Sequence, residues 1–419
     1  MIGEGLLANG ASAEETEAGM LVAAAAYDQR HCEPHVTLAV VSMTYRSENG
    51  DAPVTVSRPL RSQATDFTAL QRTHQLVQHI HDGRLTLAQA RNRAAAIVAA
   101  ARPAAKPSAS RRVRTAVLQS GLVAAGGTVL VDGDAVITAC SLAAATLGAL
   151  VAAWLGKYGV PTFYRFACAA VPAALVAALL DLESHVQAQA VVVGGLLAML
   201  PSLSIISAVQ DSLTGHYLAA YVRFLDACIV FLGIVAGTIL TLTLVAQLRA
   251  GAPLDPPSND PELSLSWRVV GAPVFAVAMA ARMNVPRRAW PAIALISVAG
   301  LATFVEIREM GFPRLFSTGL AAVVVGVLGQ LAARPKRVSA LPLVAPGVAP
   351  LLPGMVMYRG LRETADNRLA LGLDSLAEAL GTCLALAVGV CAAGEIYLLI
   401  RQLRAGRPAP DTAGPEQPR

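Results

Sequence analysis

Charged residues are scarce in this chain. Only 15% of its 419 residues are Asp, Glu, Lys or Arg, against about 25% in ordinary soluble domains. Its mean hydropathy is +0.54, and from about residue 115 to 401 it contains apolar runs of the roughly 20 residues that a helix needs to cross a bilayer. The scarcity of charge excludes an ordinary soluble enzyme and predicts a polytopic helical membrane protein.

A CxxC pair and the pattern of a signal peptide are lacking as well. The six cysteines form no CxxC pair and five of them lie in apolar runs, so we interpret them as buried apolar side chains rather than disulfides. The first 20 residues have no basic segment followed by a continuous apolar run, which predicts no cleavable signal peptide. The net charge of +5 is small and its basic residues cluster at the ends of apolar runs, which argues against a nucleic-acid partner.

Residues 1–101 have the mixed pattern of a small soluble α/β domain. Ser12 followed by Glu15 forms a capping box at the start of a helix. Residues 35–46 have the β-branched and aromatic content of a strand, and residues 50–60 could pair with them across "SENGD". Two further segments, beginning at Asp66 and Leu85, return to a helical period.

The rest of the chain is organised around ten predicted spans. They follow a basic linker at 102–114 and are followed by a disordered tail at 402–419. The spans are placed at 115–131, 134–154, 163–181, 186–206, 221–248, 268–283, 289–305, 314–332, 338–357 and 374–400. With both termini in the cytoplasm, the cytoplasmic ends carry about twice as many Arg and Lys residues as the opposite ends, as the positive-inside rule requires of a plasma-membrane protein.

An internal repeat is visible when the chain is shifted by 152 residues. Gly159-Val160-Pro161 then matches Gly311-Phe312-Pro313 and Leu200-Pro201 matches Leu352-Pro353. The same shift pairs Asp211 with Glu363, Asp226 with Glu378, and Arg249 with Arg401. Chance similarity among Ala-, Val- and Leu-rich helices is the alternative. A duplication would divide the spans into five-helix halves at 115–249 and 268–401, joined by an extracytoplasmic linker at 250–267, and an odd number of spans per half inverts their topology.

Two proline-interrupted segments occupy the fourth span of each half. They are "MLPSLSIISAVQDSLTG" at 199–215 and "VAPGVAPLLPGMVMYRG" at 344–360. Proline removes a backbone N–H and breaks a helix, and paired interruptions at corresponding positions point to a transporter's binding site. A packing kink is the alternative, and it is favoured for Pro342, which has no mate at the repeat offset.

The chain resembles the threonine/serine exporter (ThrE) family over about residues 5–400. The resemblance rests on "LLANGASAEETEAGM" near the start and on two proline segments. Leu200, Pro201, Asp211, Gly215 and Arg223 match the first segment, and Pro350, Pro353, Gly354, Tyr358 and Arg359 match the second. Ser202 departs from the family pattern, which usually has glycine after the proline.

The resemblance implies export of small hydroxy amino acids, threonine and serine, from the cytoplasm, driven by the proton gradient. The inverted halves predict that this export works by alternating access. Split two-chain relatives associated with dicarboxylate export leave a succinate-type exporter or channel as the alternative. A second alternative is a membrane-tethered hydrolase with Ser12 or Cys32 as nucleophile, although the sequence has no G-x-S-x-G elbow. We interpret the soluble domain as a cytoplasmic cap or as an oligomerisation domain. Assembly of the protein into a homo-oligomer therefore stays open.

A zwitterionic substrate needs a partner for each charge and for its hydroxyl group. Broken helices expose N–H groups for a carboxylate, and hydroxyl and amide side chains add further partners. The substrate-binding candidates are Pro201, Ser202, Ser204, Ser207, Gln210, Pro350, Pro353, Gly354 and Tyr358.

Proton coupling needs a carboxyl group inside the membrane, where ionisable residues are costly and usually functional. Asp226 and Glu378 are the first choices, and an i,i+3 ion pair between Arg223 and Asp226 is one arrangement, with a helix-end clamp as its alternative. Asp211 and Glu363 lie nearer the interface, where gating or snorkelling is as well supported as transport. Arg223 and Arg359 complete the candidates for proton coupling or gating. Glu306 and Glu395 have no acidic mate at the repeat offset.

No cofactor is expected. His31, Cys32 and His35, with His74, His79 and His81, offer zinc-ligand chemistry, but their spacing does not make them converge, so no metal site is predicted.

Overall fold

The computed structural model is mostly helical. It describes residues 1–29, 31–37, 40–47, 52–60, 66–101, 108–131, 133–182, 189–248, 265–333 and 339–405. The hairpin turn, the extracytoplasmic linker and the tail predicted from the sequence lie largely outside these residues and stay predictions. Helix α5 begins at Ser108 and helix α16 ends at Ala405, so both extend into segments that were expected to be a linker and a tail.

The N-terminal domain is mixed α/β, as predicted, and its described residues form four helices and a three-stranded antiparallel sheet. Its elements are α1 (Ile2–Leu7), α2 (Ala13–Ala25), β1 (Cys32–Val36), β2 (Val40–Tyr45), β3 (Val54–Pro59), α3 (Phe67–His81) and α4 (Leu87–Ala101). The capping box is confirmed, because the Glu15 N–H donates to Ser12 Oγ at 3.1 Å and the Glu15 carboxylate accepts from the Ser12 N–H.

The strand prediction is confirmed in one part and wrong in another. Strands β2 and β3 pair as expected, from Val40 opposite Pro59 to Tyr45 opposite Val54. Residues 35–46 are not one strand, however. They are divided between β1 and β2, which form a hairpin with Cys32 opposite Tyr45. Pro34 tolerates this position because β1 is an edge strand.

In the part of the chain that the structure describes, twelve helices form the apolar bundle that follows. They are α5 (Ser108–Leu130), α6 (Ala135–Lys157), α7 (Thr162–Leu182), α8 (Gln189–Met199), α9 (Ser202–Leu213), α10 (Tyr217–Leu248), α11 (Leu265–Arg282), α12 (Trp290–Glu309), α13 (Arg314–Ala333), α14 (Leu341–Gly347), α15 (Gly354–Ala365) and α16 (Leu369–Ala405). Among the described residues, six helices are long and apolar enough to cross a membrane, and two bent pairs raise that number to eight.

The two bent pairs are the segments in which the sequence predicted broken spans. Helices α8 and α9 meet at 46°, and the α14 segment meets α15 at 49°. The two predicted spans that remain correspond to α5 and α11. The apolar part of α11 is the shorter segment Val270–Arg282. Every predicted span therefore coincides with a helix or a bent pair, although length and composition support only six to eight of them as crossings.

Three of the four prolines at 342–353 fall at a helix start, and the fourth, Pro346, lies inside a short helix. Pro342 opens α14 and Pro350 opens a 3₁₀ segment, Ala349–Leu351. Pro353 caps α15, and Pro346 lies inside the seven-residue α14. The first N–H groups of a helix have no intrahelical partner, so proline loses little there. Pro342, for which the sequence favoured a packing kink, is a helix-start proline.

Helix boundaries recur at an offset of 152 residues. Helices α7 and α13 begin at Thr162 and Arg314, and α10 and α16 begin at Tyr217 and Leu369. The correspondence extends to both ends of α9 and α15. The contacts between helices recur in the same way: α7 packs on α10 as α13 packs on α16, while α9 crosses to α16 and α15 crosses to α10.

We call the helices α5–α10 and α11–α16 the two sets of helices. Their first members, α5 and α11, pack directly against each other through their backbones. A side chain on Gly126 would place its Cβ 2.9 Å from the Phe275 Cα atom, and one on Gly271 would come within 2.6 Å of the Leu130 Cα atom. The same apolar core continues across this contact through residues such as Leu197, Ile234, Phe275 and Val325.

The soluble domain rests on one end of the bundle, which we call the capped end. It contacts this end at three places. The first is the α9–α10 hairpin. The second is the turn after α11, where the Phe67 N–H donates to the Met283 carbonyl at 3.1 Å, and the third is Ser339 before α14, which forms a hydrogen bond with Glu15.

Candidate functional site

The two broken spans have the same local geometry. Pro201 and Pro353 cap α9 and α15 with φ, ψ of −82°, 46° and −81°, 52°. Each helix is 12 residues long and is followed by a residue with positive φ, Gly215 at 82° and Asn367 at 60°. The interruptions predicted from the sequence are therefore real breaks that share one backbone design.

The break in the second half touches the first half. A Cβ atom on Gly354 would lie 3.0 Å from Leu197 Cδ2 and 3.1 Å from Val193 Cγ1, both on α8. This contact is tighter than ordinary packing, so the absence of a side chain at Gly354 sets how closely α15 approaches α8. The matching position in the first half is Ser202, the residue that departs from the family pattern.

A cavity of about 1060 Å³ opens at the capped end between the two sets of helices. Helix α9 supplies one wall, α13, α14 and α16 supply others, and α2 of the soluble domain partly covers it. Its polar lining residues are Glu14, Glu15, Gln210, Thr214, Gln330, Ser339, Cys391, Glu395 and Tyr397. A cavity of this size accommodates a small amino acid with room to spare.

The lining is acidic. Three carboxylates face the cavity, and among its described lining residues there is no Lys or Arg. Burial, together with the negative charge of Glu395, raises the pKa of Glu14. Burial also acts to raise the pKa of Glu15, but the hydrogen bond and charge of His74, 3.1 Å away, outweigh it and lower that pKa. Such a lining favours a cationic group over an anionic one.

Asp211 and Arg223 form a buried ion pair beside the cavity. The Asp211 Oδ2 atom lies 2.9 Å from Arg223 Nε, and the two side chains are 0% and 7% exposed. The other ends of both side chains bind the soluble domain: Asp211 Oδ1 accepts from the Ala13 N–H at 2.8 Å, and Arg223 Nη2 donates to the Ala11 carbonyl at 2.9 Å. Arg223 therefore pairs with Asp211 and not with Asp226, which corrects the i,i+3 arrangement.

Two more contacts surround this pair. His216 Nε2 lies 3.0 Å from Glu17 Oε2, and Gln210 Nε2 donates to Ser12 Oγ at 3.5 Å. Ser12 is buried and its hydroxyl group caps α2, a structural use for one nucleophile candidate. The other, Cys32, lies partly buried on β1.

In the second half, Glu363 occupies the position of Asp211 at the repeat offset. Its Oε2 atom accepts a hydrogen bond of 2.7 Å from Ser375, the residue that corresponds to Arg223. In both halves a carboxylate therefore pairs with the side chain twelve residues later, which is a guanidinium group in the first half and a hydroxyl group in the second.

The remaining residues of the second broken span form a buried polar group. Tyr358 is 4% exposed and accepts a hydrogen bond of 3.4 Å from Arg362, which also pairs with Asp366 at 3.4 Å. Arg359 is half-buried beside them, while Pro350, Pro353 and Gly354 are buried.

The other predicted residues are dispersed. Of the substrate-binding candidates whose side chains the structure describes, Gln210 alone lines the cavity, Ser207 is buried and Ser204 is half-buried. The Ser202 side chain lies outside the described part of the structure. Asp226 is exposed on α10, and Glu378, 41% exposed, pairs with Arg314 at 3.4 Å.

Sequence reasoning missed the cavity residues Glu14, Glu15 and Gln330. The signal for the first two was available, because they belong to the same "GASAEETE" segment that carries the family resemblance, but it had been interpreted only as a helix cap. Among the described residues, no three His, Cys, Asp or Glu side chains converge in a way that could hold a metal ion.

Comparison with known proteins agrees with this architecture. A family model described as "Putative threonine/serine exporter" matches residues 1–245, and a second, "Threonine/Serine exporter, ThrE", matches residues 268–396. A "Probable threonine/serine exporter" of Mycobacterium tuberculosis is 28% identical over 421 residues, covering 97% of this chain and 77% of the relative. The "Threonine/serine exporter" of Corynebacterium glutamicum is 26% identical over 404 residues, covering 93% and 79%.

No solved structure matches the chain. The two models meet between α10 and α11, at the boundary between the two sets of helices. Together they span the soluble domain and both broken spans, and the chain therefore belongs to the threonine/serine exporter family, as a multi-pass membrane protein.

Proposed function

We propose that this protein exports threonine and serine from the cytoplasm across the plasma membrane, driven by the proton gradient and working by alternating access. The observation that carries the proposal is the acidic cavity at the capped end, lined by both sets of helices in a chain of the exporter family. Glu395 or Glu14 would bind the substrate ammonium group. Gln210, Gln330 and the hydroxyl groups would bind its carboxylate and hydroxyl groups.

Inverted five-helix halves would supply the alternating access. The recurrence of helix boundaries and breaks at one offset supports a duplication. Ten spans place the α9–α10 hairpin, the turn after α11 and Ser339 on one side, and the soluble domain contacts all three. Both termini would then be cytoplasmic, in agreement with the distribution of Arg and Lys.

Protons would couple through Asp226 and Glu378. Glu378 suits this role because it is partly exposed and its Arg314 partner can be displaced when a proton binds. Asp211, Arg223, Glu363 and Arg359 would gate the pathway at the two ends of the bundle.

The cavity disfavours the dicarboxylate alternative. A dianion would meet three carboxylates there, and like charges at close range repel.

The experiment is counterflow in proteoliposomes that contain the full-length protein. Vesicles preloaded with threonine should take up labelled threonine, serine should compete, and succinate should not. An imposed pH gradient should then drive threonine uphill, and a protonophore should stop that movement. Competition by succinate without competition by threonine would instead establish the dicarboxylate exporter.

A further inference from the structure

The soluble domain is attached to α9 and α10 through its main chain. The Ala13 N–H and the Ala11 carbonyl bind opposite ends of the Asp211–Arg223 pair. We propose that the first turn of α2 is a gate over the cavity, and that the Asp211–Arg223 pair is the latch that holds this gate shut. The proposal rests on the proposed function, because it assigns the soluble domain a part in the transport cycle.

The gate is part of the cavity wall. The latch holds residues 11–13, and the first two turns of the same helix supply Glu14, Glu15 and Ala18 to the cavity lining. Releasing the Ala13 N–H and the Ala11 carbonyl loosens the end of α2 from which these three side chains project, and leaves it held only by the side-chain contacts of Ser12, Glu15 and Glu17 with Gln210, Ser339 and His216 among the described residues. Movement of one helical turn therefore widens the capped end of the cavity.

The latch is attached to the movable half of a broken span. Asp211 lies near the end of α9, which is separated from α8 by the break at Pro201. Arg223 lies on the neighbouring helix α10. A change in the α8–α9 angle moves Asp211 relative to α2, so the break and the gate are mechanically connected.

A separate attachment can keep the domain in place while the gate opens. The Phe67 N–H at the start of α3 donates to the Met283 carbonyl, and the Thr68 hydroxyl group donates to the Asn284 carbonyl. Neither contact involves a residue of the cavity lining. The first turn of α2 can therefore leave the cavity while α3 stays docked on the turn after α11.

Ala13→Pro tests the latch with a small change. Ala13 is the first residue of α2, where proline fits the helix, and Ser12 before it is extended, at φ −70° and ψ 165°, as a residue preceding proline should be. The substitution removes the N–H that Asp211 binds. Ala135→Pro is the matched control, because Ala135 also opens a helix, α6, after an extended cap, Asp134 at φ −67° and ψ 177°.

Two rates are measured on the full-length protein in liposomes by peptide mass spectrometry. One is the amide hydrogen exchange of residues 11–17. The other is the labelling of Cys391, which lines the cavity, by a water-soluble thiol reagent. We expect Ala13→Pro to accelerate both by about tenfold and to leave exchange in α3 unchanged. Ala135→Pro should behave as the wild type does.

Ala13 is buried, so the larger proline ring could disturb the packing around it as well as remove the N–H. The double substitution Asp211→Arg, Arg223→Asp is therefore a second test that leaves Ala13 unchanged. It keeps opposite charges between α9 and α10 but places a donor against the Ala13 N–H and an acceptor against the Ala11 carbonyl. A latch therefore predicts fast exchange and fast labelling in the double variant too.

Wild-type rates of exchange and labelling in both variants would overturn the proposal. Faster exchange of residues 11–17 with unchanged labelling of Cys391 would also overturn it, since α2 would then leave without opening the cavity. Both measurements are independent of the substrate. A wild-type protein that moves no threonine would refute the proposed function, while the labelling result would still decide whether α2 gates the cavity.

Discussion

The carboxylate of Asp211 lies 2.9 Å from the guanidinium Nε atom of Arg223, twelve residues further along the chain, and water reaches neither group to a significant extent. Glu363 and Ser375 repeat this spacing in the second half with a neutral partner. The first half therefore places an ion pair where the second half pairs the carboxylate with a hydroxyl group. The charged version is the one that contacts the soluble domain.

Breaking the buried pair should be costly. Arg223→Met leaves the Asp211 carboxylate without its counter-ion, and removing one partner of a buried pair destabilises a protein by about 3–5 kcal/mol. The double substitution Asp211→Leu, Arg223→Met should be less harmful than Arg223→Met alone, because no unpaired charge remains. Thermal unfolding of the protein in detergent measures both.

The exposed pair of Arg46 and Glu33 is the control for that experiment. Its side chains are 67% and 61% exposed at a distance of 3.2 Å, and exposed pairs contribute about 0–1 kcal/mol. Arg46→Ala should therefore leave the unfolding temperature nearly unchanged. Equal losses from Arg223→Met and Arg46→Ala would contradict the assignment of the Asp211 pair as buried.

Helix positions, breaks and caps could be predicted because their signals are local. The helical apolar period, the prolines at 201 and 353, and the Ser12 capping box each act within a few residues, and each prediction agrees with the structure. The number of crossings could not be settled in the same way. Helices α5 and α11 are partly polar or short, and their burial depends on contacts between distant segments.

The partners in the site depend on contacts between distant segments. Ala13 and Asp211 are 198 residues apart, and no local pattern shows that α2 would dock on α9. The i,i+3 rule gave Arg223 the wrong partner because it considers one helix at a time. The acidic cavity was missed for the same reason, since its carboxylates come from α2 and α16.

Glu14 and Glu15 should respond to the same substitution with opposite signs. The pKa of Glu15 is lowered from its ordinary 4.5, so Glu15 stabilises the folded state above pH 4.5, and this contribution is lost as the pH falls through its folded-state pKa. Glu15→Gln should lower the unfolding temperature near neutral pH and reduce the loss of stability on acidification.

The pKa of Glu14 is raised, so its charged form is disfavoured in the folded protein, and the stability it contributes is lost as the pH rises through that raised pKa. Glu14→Gln should leave the unfolding temperature unchanged or increase it near neutral pH. The comparison is made in detergent between about pH 4 and pH 7. A loss of stability of similar size in both variants would show that the two carboxylates do not differ.

Glu395 should contribute to substrate affinity. A charge-assisted hydrogen bond is worth about 1.5–3 kcal/mol, so Glu395→Gln should raise the half-saturating threonine concentration by about 10- to 100-fold. Counterflow at several threonine concentrations measures it. Glu309→Gln is the matched control, because Glu309 is an exposed carboxylate at the end of α12 and outside the cavity lining. An unchanged concentration dependence in Glu395→Gln would remove Glu395 from the site.

Glu378 should be needed for coupling and not for exchange. Glu378→Gln cannot carry a proton, so threonine counterflow should continue while uphill movement driven by a pH gradient stops. Asp226→Asn should behave in the same way if the two residues act as a pair. Uphill transport at the wild-type rate in Glu378→Gln would exclude it as the proton carrier.

Gly354 should be sensitive to a single methyl group. Gly354→Ala would place a Cβ atom 3.0 Å from both Leu197 Cδ2 and Leu197 Cγ, and such overpacking costs about 1–3 kcal/mol. Because the contact joins the second break to α8, threonine counterflow should slow as well. Gly319→Ala is the control, since its nearest neighbour is at 3.6 Å. The double variant Gly354→Ala, Leu197→Ala removes the two nearest crowding atoms and leaves only Val193 Cγ1, at 3.1 Å, so its loss of stability should be smaller than the sum of the two single losses. Additive losses measured by thermal unfolding would show that α15 does not pack on α8 at this glycine.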